Sequence, residues 1–235
     1  MSPGRARAPG DLAALSLVSL VCGRIAHDLN NVLAAIDGYS EFVAQEVGDR
    51  PQALADIREV RDAARKGAAF SRRLRQVGQL VEGSPEPVDL SELVTEAQEQ
   101  VQITAGERCQ VRLSLASGLR PVNADRRQLQ LALLSLVDNA CEAMPDGGTI
   151  SLRTFEAGES VALEVTDTGV GMPAGMLANV YEPFFSTKPK AIGNGLGLFI
   201  VDGVVRRAGG LAEITSAEQE GTTVTLLLPA SPGPA

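Results

Sequence analysis

At 235 residues with 44% apolar side chains, the chain can bury a sizeable core and has room for one or two domains. A formal net charge of −8 argues against a nucleic-acid binder, which would show a basic face, and 3% aromatic content without tryptophan leaves no base-stacking platform. Three scattered cysteines and one histidine make neither a disulfide framework nor a transition-metal site. Cys22, Cys109 and Cys141 read as small apolar residues of a reducing cytosol.

Residues 1–14 are dominated at their start by Pro, Gly, Arg and Ala and read as a disordered tail. The run RARAPGDLAALSLVSLVCG imitates a signal peptide, but Asp11 interrupts it and the apolar pattern continues past the supposed cleavage site. No apolar run reaches membrane-spanning length, so the expectation is a soluble, cytoplasmic chain. From Leu15 the periodicity is strict. Leu15, Val18, Cys22, Ile25, Leu29, Val32, Ile36, Tyr39 and Val43 fill every a and d slot over four heptads. Val21, Leu33, Ala35 and Phe42 widen that stripe beyond a two-stranded seam, which suits a helix of a four-helix bundle. GDRP at 48–51 ends the helix, and Pro51 suits the first turn of a second, running to about Leu80. Two helices make half a bundle, so residues 15–80 predict a homodimer.

VEGSPEPVD reads as a linker over 81–87, after which the pattern changes to α+β through 88–230. Helices are predicted at about 90–104, 125–144 and 196–208, and strands at 109–116, 149–155 and 160–167. A final hairpin joins LAEITSA to TTVTLLLP around EQEG, and a loop-rich stretch spans about 168–193.

The heptad places the lone histidine, His27, at f, opposite the seam and facing solvent. Asn31 shares that face one turn on, and Asp28 can reach a ring nitrogen or a water beside it. An exposed imidazole next to a carboxylate is a workable nucleophile, although exposed helical histidines are often inert. In the second half, Asn139 sits within an amphipathic helix, where a solvated amide is the plain reading. DTGVGMP puts Asp167 at a strand end before Gly169 and Gly171, and GNGLGL opens a helix with Gly193, Gly195, Leu196 and Gly197. Such glycines either let backbone approach phosphates at a helix N-terminus or simply make a tight turn. Neither stretch fits a P-loop or a dinucleotide fingerprint.

The order of these motifs is more specific than any one of them. An Asn-bearing helix, a DxGxG strand end, YEPFFSTK and a GxGLGL helix start follow one another within about 65 residues. Residues 88–230 thereby resemble the ATP-binding domain of histidine kinases, in the superfamily shared with Hsp90, DNA gyrase and MutL. RIAHDLNN, on the helical hairpin, resembles the phosphoacceptor box of the same kinases, in the branch that writes it HDxNN.

The resemblance implies that His27 is phosphorylated, that Asp28 is the general base, and that Asn31 orients a water or the partner's aspartate in the reverse direction. It implies that Asn139 coordinates Mg²⁺ on the ATP phosphates and that Asp167 accepts a hydrogen bond from the adenine amino group. Gly169 and Gly171 give the backbone room beside the nucleotide. Gly193, Gly195, Leu196 and Gly197 line the phosphates, with Lys188 a weaker phosphate contact. Phe184 and Phe185 fall in the family's F box, below a mobile lid at about 175–194, where ordinary core is the competing reading.

Two positions depart from the family pattern. Val32 stands where many members have a helix-loosening proline, and Ser135 stands where the N box often has a second asparagine. Hydrolytic relatives carry a water-activating glutamate at the latter position, so Ser135 fits transfer to His27 better than hydrolysis. The implied activity is autophosphorylation followed by transfer to an aspartate of a response regulator on a separate chain, with phosphatase activity using the same residues. The alternatives are a non-catalytic histidine phosphotransfer protein of the same architecture and a stand-alone ATPase. No sensor domain fits before residue 15 and no receiver after 230, which leaves an excised core or a short kinase.

Overall fold

A computed structural model describes residues 12–48, 50–80, 83–185 and 195–231. The chain divides into two compact units, Ala13–Val81 and Glu82–Ala235. The first is a helical hairpin of α1 (Leu12–Glu46) and α2 (Pro51–Gly78). Proline at the first position of α2 costs nothing, because that amide has no helical acceptor. Ser19, Cys22 and Ala26 of α1 are buried, as are Ala64 and Ser71 of α2. The helices come closest where Gly23 faces Gly78: a Cβ built on Gly23 would stand 3.3 Å from the Gly78 Cα. On the hairpin's flank, the Arg61 guanidinium bridges Asp37, at 3.0 Å, and Glu41.

The inward face of α1 shares only Cys22 fully with the heptad seam. Ile25, Val32, Ile36, Tyr39 and Val43 are all exposed, Tyr39 at 72%. At about 100° per residue, their stripe lies about 100° round the helix from the face centred on Cys22 and Ala26. With Ile57 and Val60 of α2, four of these residues line a shallow apolar groove on the hairpin.

The second unit opens earlier than a linker over 81–87 would have it. Glu86–Val88 forms β1, paired antiparallel with β3 (Val122–Ala124), and neither short strand is apparent from the sequence pattern. Asp89 caps α3 (Leu90–Glu96) by accepting the amides of Ser91 and Glu92. The single helix expected at 90–104 is two: at Ala97, ψ opens from the helical value of about −42° to −1°, and α4 (Gln98–Ala105) starts afresh. No proline or glycine marks the break; it lets Leu93 and Val94 on one helix and Val101 and Ala105 on the other all stay buried.

After β2 (Cys109–Ser114) comes α5 (Arg126–Ala143), capped by Asp125 and buried along Leu129, Ala132, Leu133, Leu136, Val137 and Ala140. That spacing gives one broad apolar stripe. Strands β4 (Gly148–Ala157) and β5 (Ser160–Asp167) lead to α6 (Gly197–Arg207), then β6 (Leu211–Ala217) and β7 (Gly221–Pro229). The sheet order is β2-β4-β5-β7-β6, with only the β2–β4 pair parallel. One face of the sheet, including Leu152, Leu163, Val165 and Leu226, is buried and packs under α5 and α6. The other is polar, with Thr166 bonded to Thr223 and Arg153 stacked 4.5 Å over Phe155. The result is an α/β sandwich with α5 and the start of α6 beside the C-terminal end of β5. No helix among the described residues is long and apolar enough to cross a membrane.

Candidate functional site

Two sets of residues stand on the two units. On α1 the imidazole of His27 is 74% exposed, and its Nδ1 lies 3.1 Å from Asp28 Oδ1. When Nδ1–H donates to that carboxylate, the lone pair is left on Nε2, which faces solvent. Asn31 is exposed as well. Val32, in the position where family members often have proline, continues α1 as helix.

In the second unit, α5 supplies half-buried Asn139. Its amide abuts the first residue of α6: a Cβ built on Gly197 would lie 2.6 Å from Asn139 Oδ1 and 2.8 Å from Nδ2. Leu196, before it, is buried, and the first amides of α6 have no helical acceptors. One turn beyond Asn139, the carbonyl of Ala143 accepts Val170 N at 3.1 Å and holds the DTGVGM loop to the end of α5.

Asp167 closes β5 with 8% exposure. Its Oδ1 accepts Gly169 N at 2.8 Å and Thr222 N at 3.2 Å, so the carboxylate is oriented by two backbone amides. The glycines of this loop are demanded by the protein itself. A Cβ on Gly169 would crowd Ala143 and the Asp167 carboxylate, and one on Gly171 (φ +63°) would lie 1.9 Å from Ala217 O. Their smallness therefore sets the loop's path against α5 and the β6–β7 turn, where the sequence reading gave them room beside a nucleotide.

Beyond the loop, Phe184 donates its amide to Gly195 O at 2.9 Å and tethers the two described ends of the 186–194 stretch. Phe184 has φ +65° and is 55% exposed, so it is not core; Phe185 is half-buried. Lys188 and Gly193 lie outside the described residues. Ser135 donates its hydroxyl to Leu131 O at 2.8 Å, an internal helix bond.

The structure thus groups Asn139, Asp167, Gly169, Gly171, Gly195, Leu196 and Gly197 in one unit and His27, Asp28 and Asn31 in the other. Sequence reasoning missed Thr222, whose amide holds Asp167, and Gly221, where a Cβ would strike Asp167 O at 2.0 Å. Both follow from the pairing of Asp167 with Thr222 across β5 and β7, a register that the sequence does not print. It also missed Tyr181, whose hydroxyl donates to Ala212 O at 3.1 Å. Burial, with the charges of Asp202 and Glu213, raises that phenol's pKa and keeps it a donor.

Residues 124–232 match the family described as histidine kinase-, DNA gyrase B- and HSP90-like ATPase. Over 230 residues the chain is 32% identical to the sensor kinase CckA of Brucella abortus, covering 92% of this chain and 24% of that protein. It is also 32% identical to the sensor histidine kinase ZraS of Escherichia coli K12, covering 87% of this chain and 44% of that one. The chain therefore spans less than half the length of these curated relatives. Among solved structures, a mycobacterial sensor histidine kinase, MprB, superposes with a TM-score of 0.55 at 31% identity, over 63% of this chain and 99% of that one. Full-length ShkA in complex with AMPPNP gives 0.70 over 91% of this chain and 46% of that one; at 22% identity it speaks for the fold. With the Asp167 loop, the Asn139 helix and the hairpin histidine in place, this chain belongs to the sensor histidine kinases and carries their catalytic core.

Proposed function

We infer that the chain binds ATP with Mg²⁺ and transfers the γ-phosphoryl group to His27, from which it passes to an aspartate of a response-regulator receiver domain on another chain. The observation that carries this reading is His27 itself. It is the only histidine of the sequence, exposed, with Asp28 on Nδ1, in the same chain as an ATPase-family domain.

Nε2 attacks the γ-phosphorus as the bond to the ADP oxygen breaks, and the Nδ1 proton is held by Asp28 as positive charge grows on the ring. Mg²⁺, when bound with ATP, neutralises the phosphate oxygens. The residues present fit such a nucleotide. A buried carboxylate anchored by two amides suits an exocyclic amino group, and the Asn139 amide beside the α6 N-terminus suits the phosphates and their cation. Among the described residues no group of three or more His, Cys, Asp or Glu could hold a metal alone, so the cation would take most of its oxygens from ATP and water.

The uncovered stripe of Ile25, Val32, Ile36, Tyr39 and Val43 supports a homodimer in which two hairpins make a four-helix bundle. His27 lies well round α1 from that stripe and stays accessible in such a dimer. A cytoplasmic location fits the same reading. A non-catalytic phosphotransfer protein has no use for the Asp167 loop or for Asn139 set against Gly197, and a hydrolytic ATPase finds no carboxylate at Ser135.

The test is incubation with ATP labelled at the γ-position and Mg²⁺. An acid-labile label is expected on the native chain and absent from His27→Gln and Asn139→Ala. His27→Gln should bind ATP as well as the native chain does, whereas Asn139→Ala should not. A label that persists in His27→Gln refutes the reading.

A further inference from the structure

The residue before the phosphoacceptor makes a bond that helical geometry does not require. The Ser71 hydroxyl on α2 donates to the carbonyl oxygen of Ala26 on α1 at 2.7 Å. Both residues are 1% exposed. In a regular helix the Ala26 carbonyl already accepts the amide of Asn30, so Ser71 is a second donor reaching across the hairpin. Two other contacts bracket it. One turn before His27, Gly23 and Gly78 bring the helix backbones together, and beyond it Leu33 packs directly on Gly67, where a Cβ would stand 2.9 Å from its Cδ2. These two contacts are apolar and fix separation. The Ser71 bond is directional, so it also fixes the rotation of α1 about its axis at the turn carrying His27, Asp28 and Asn31.

We propose that Ser71 is a positioning residue for phosphorylation of His27, its hydrogen bond to Ala26 O setting the angle at which the imidazole leaves the hairpin. Val32 keeps α1 regular past the histidine, and its orientation is set from α2. The bond touches no reacting atom. It acts because in-line attack on a phosphoryl group tolerates little misalignment: a shift of about 1 Å costs up to about 10²-fold in rate.

The proposal rests on the assignment of His27 as phosphoacceptor for its kinetic test but not for its structural one. Because His27 is the only histidine, its ring protons and nitrogens give a single imidazole signal set by NMR. Ser71→Ala should shift that signal without ATP present and lower the autophosphorylation kcat about tenfold, with KM for ATP unchanged. Ser71→Thr, which keeps the donor, should restore both. Leu74→Ala removes a buried side chain from α2 without touching Ala26 O, and should lower Tm with a smaller loss of kcat. An imidazole signal and kcat that do not move in Ser71→Ala overturn the proposal, as does equal loss in Leu74→Ala at matched Tm. A native chain that takes no label overturns the phosphoacceptor assignment, while the NMR comparison still decides whether Ser71 orients the ring.

Discussion

Replacing Gly197 by alanine separates fold from site with opposite signs. Gly197 starts α6, where alanine is the better helix former by up to about 1 kcal/mol, so the backbone change is neutral or stabilising. The new Cβ, however, would lie 2.6 Å from Asn139 Oδ1, against ordinary contact from 3.4 Å, so the amide must retreat by about 0.8 Å. Asn139 can rotate away cheaply, which protects stability but abandons the position from which it meets the phosphates and their cation. Losing one such polar contact costs about 1–3 kcal/mol, or roughly 5- to 150-fold in affinity. Calorimetric titration with a non-hydrolysable ATP analogue and Mg²⁺ should show that loss, with Tm unchanged within about 2 °C. In an Asn139→Ala background the Gly197 change should have almost no further effect, since the two act through one amide. Native-like affinity in Gly197→Ala, or full additivity in the double variant, refutes the placement of Asn139 at the nucleotide.

Three further outcomes follow from other parts of the structure. Asp167→Asn keeps an acceptor for Gly169 N and Thr222 N but removes its charge; it should cost about 1–3 kcal/mol in denaturant unfolding and most of the ATP affinity, and unchanged binding would contradict the adenine assignment. Ile36→Asp puts a carboxylate in the middle of the uncovered α1 stripe, and burying it twice in a symmetric bundle costs several kcal/mol. Light scattering at micromolar concentration should find the native chain dimeric and the variant monomeric; a native monomer would remove the bundle. Burial, with neighbouring Cys109, pushes the Cys141 thiol up to about 12, favouring the neutral form. Alkylation of the folded chain at this cysteine should therefore be slow at pH 8 and still rise about tenfold per pH unit up to pH 10, whereas levelling off near pH 9 would show an ordinary thiol.

Elements with a strong period or strong punctuation were legible in the sequence. The helix carrying the heptads, though it begins three residues before Leu15, the Pro51 start, the long α5 stripe and the alternation of β4 and β5 all lie where the pattern puts them. What escaped depends on partners distant in sequence. The strand Glu86–Val88 contains Pro87 and reads as linker until Val122–Ala124 lies beside it. The break at Ala97 has no breaker residue and answers only to packing on both sides. At the site, Asp167 and Asn139 were recognisable by motif order, but the amide of Thr222, the Asn139–Gly197 contact and the Ser71 bond to Ala26 join residues that no local pattern relates. The heptad placed His27 in solvent correctly. It did not foretell that the a and d stripe from Ile25 to Val43 would lie largely uncovered in the single chain while Ser19 and Ala26, beside the a/d residue Cys22, turned inward.

The central claim is that ATP phosphorylates His27 and nothing else in this chain. Intact-mass measurement after incubation with ATP and Mg²⁺ tests it directly, because one histidine allows one adduct. A single phosphoryl addition is expected on the native protein, stable in alkali, lost in acid, and absent from His27→Gln. An adduct that survives acid, or that appears on His27→Gln, would contradict the account.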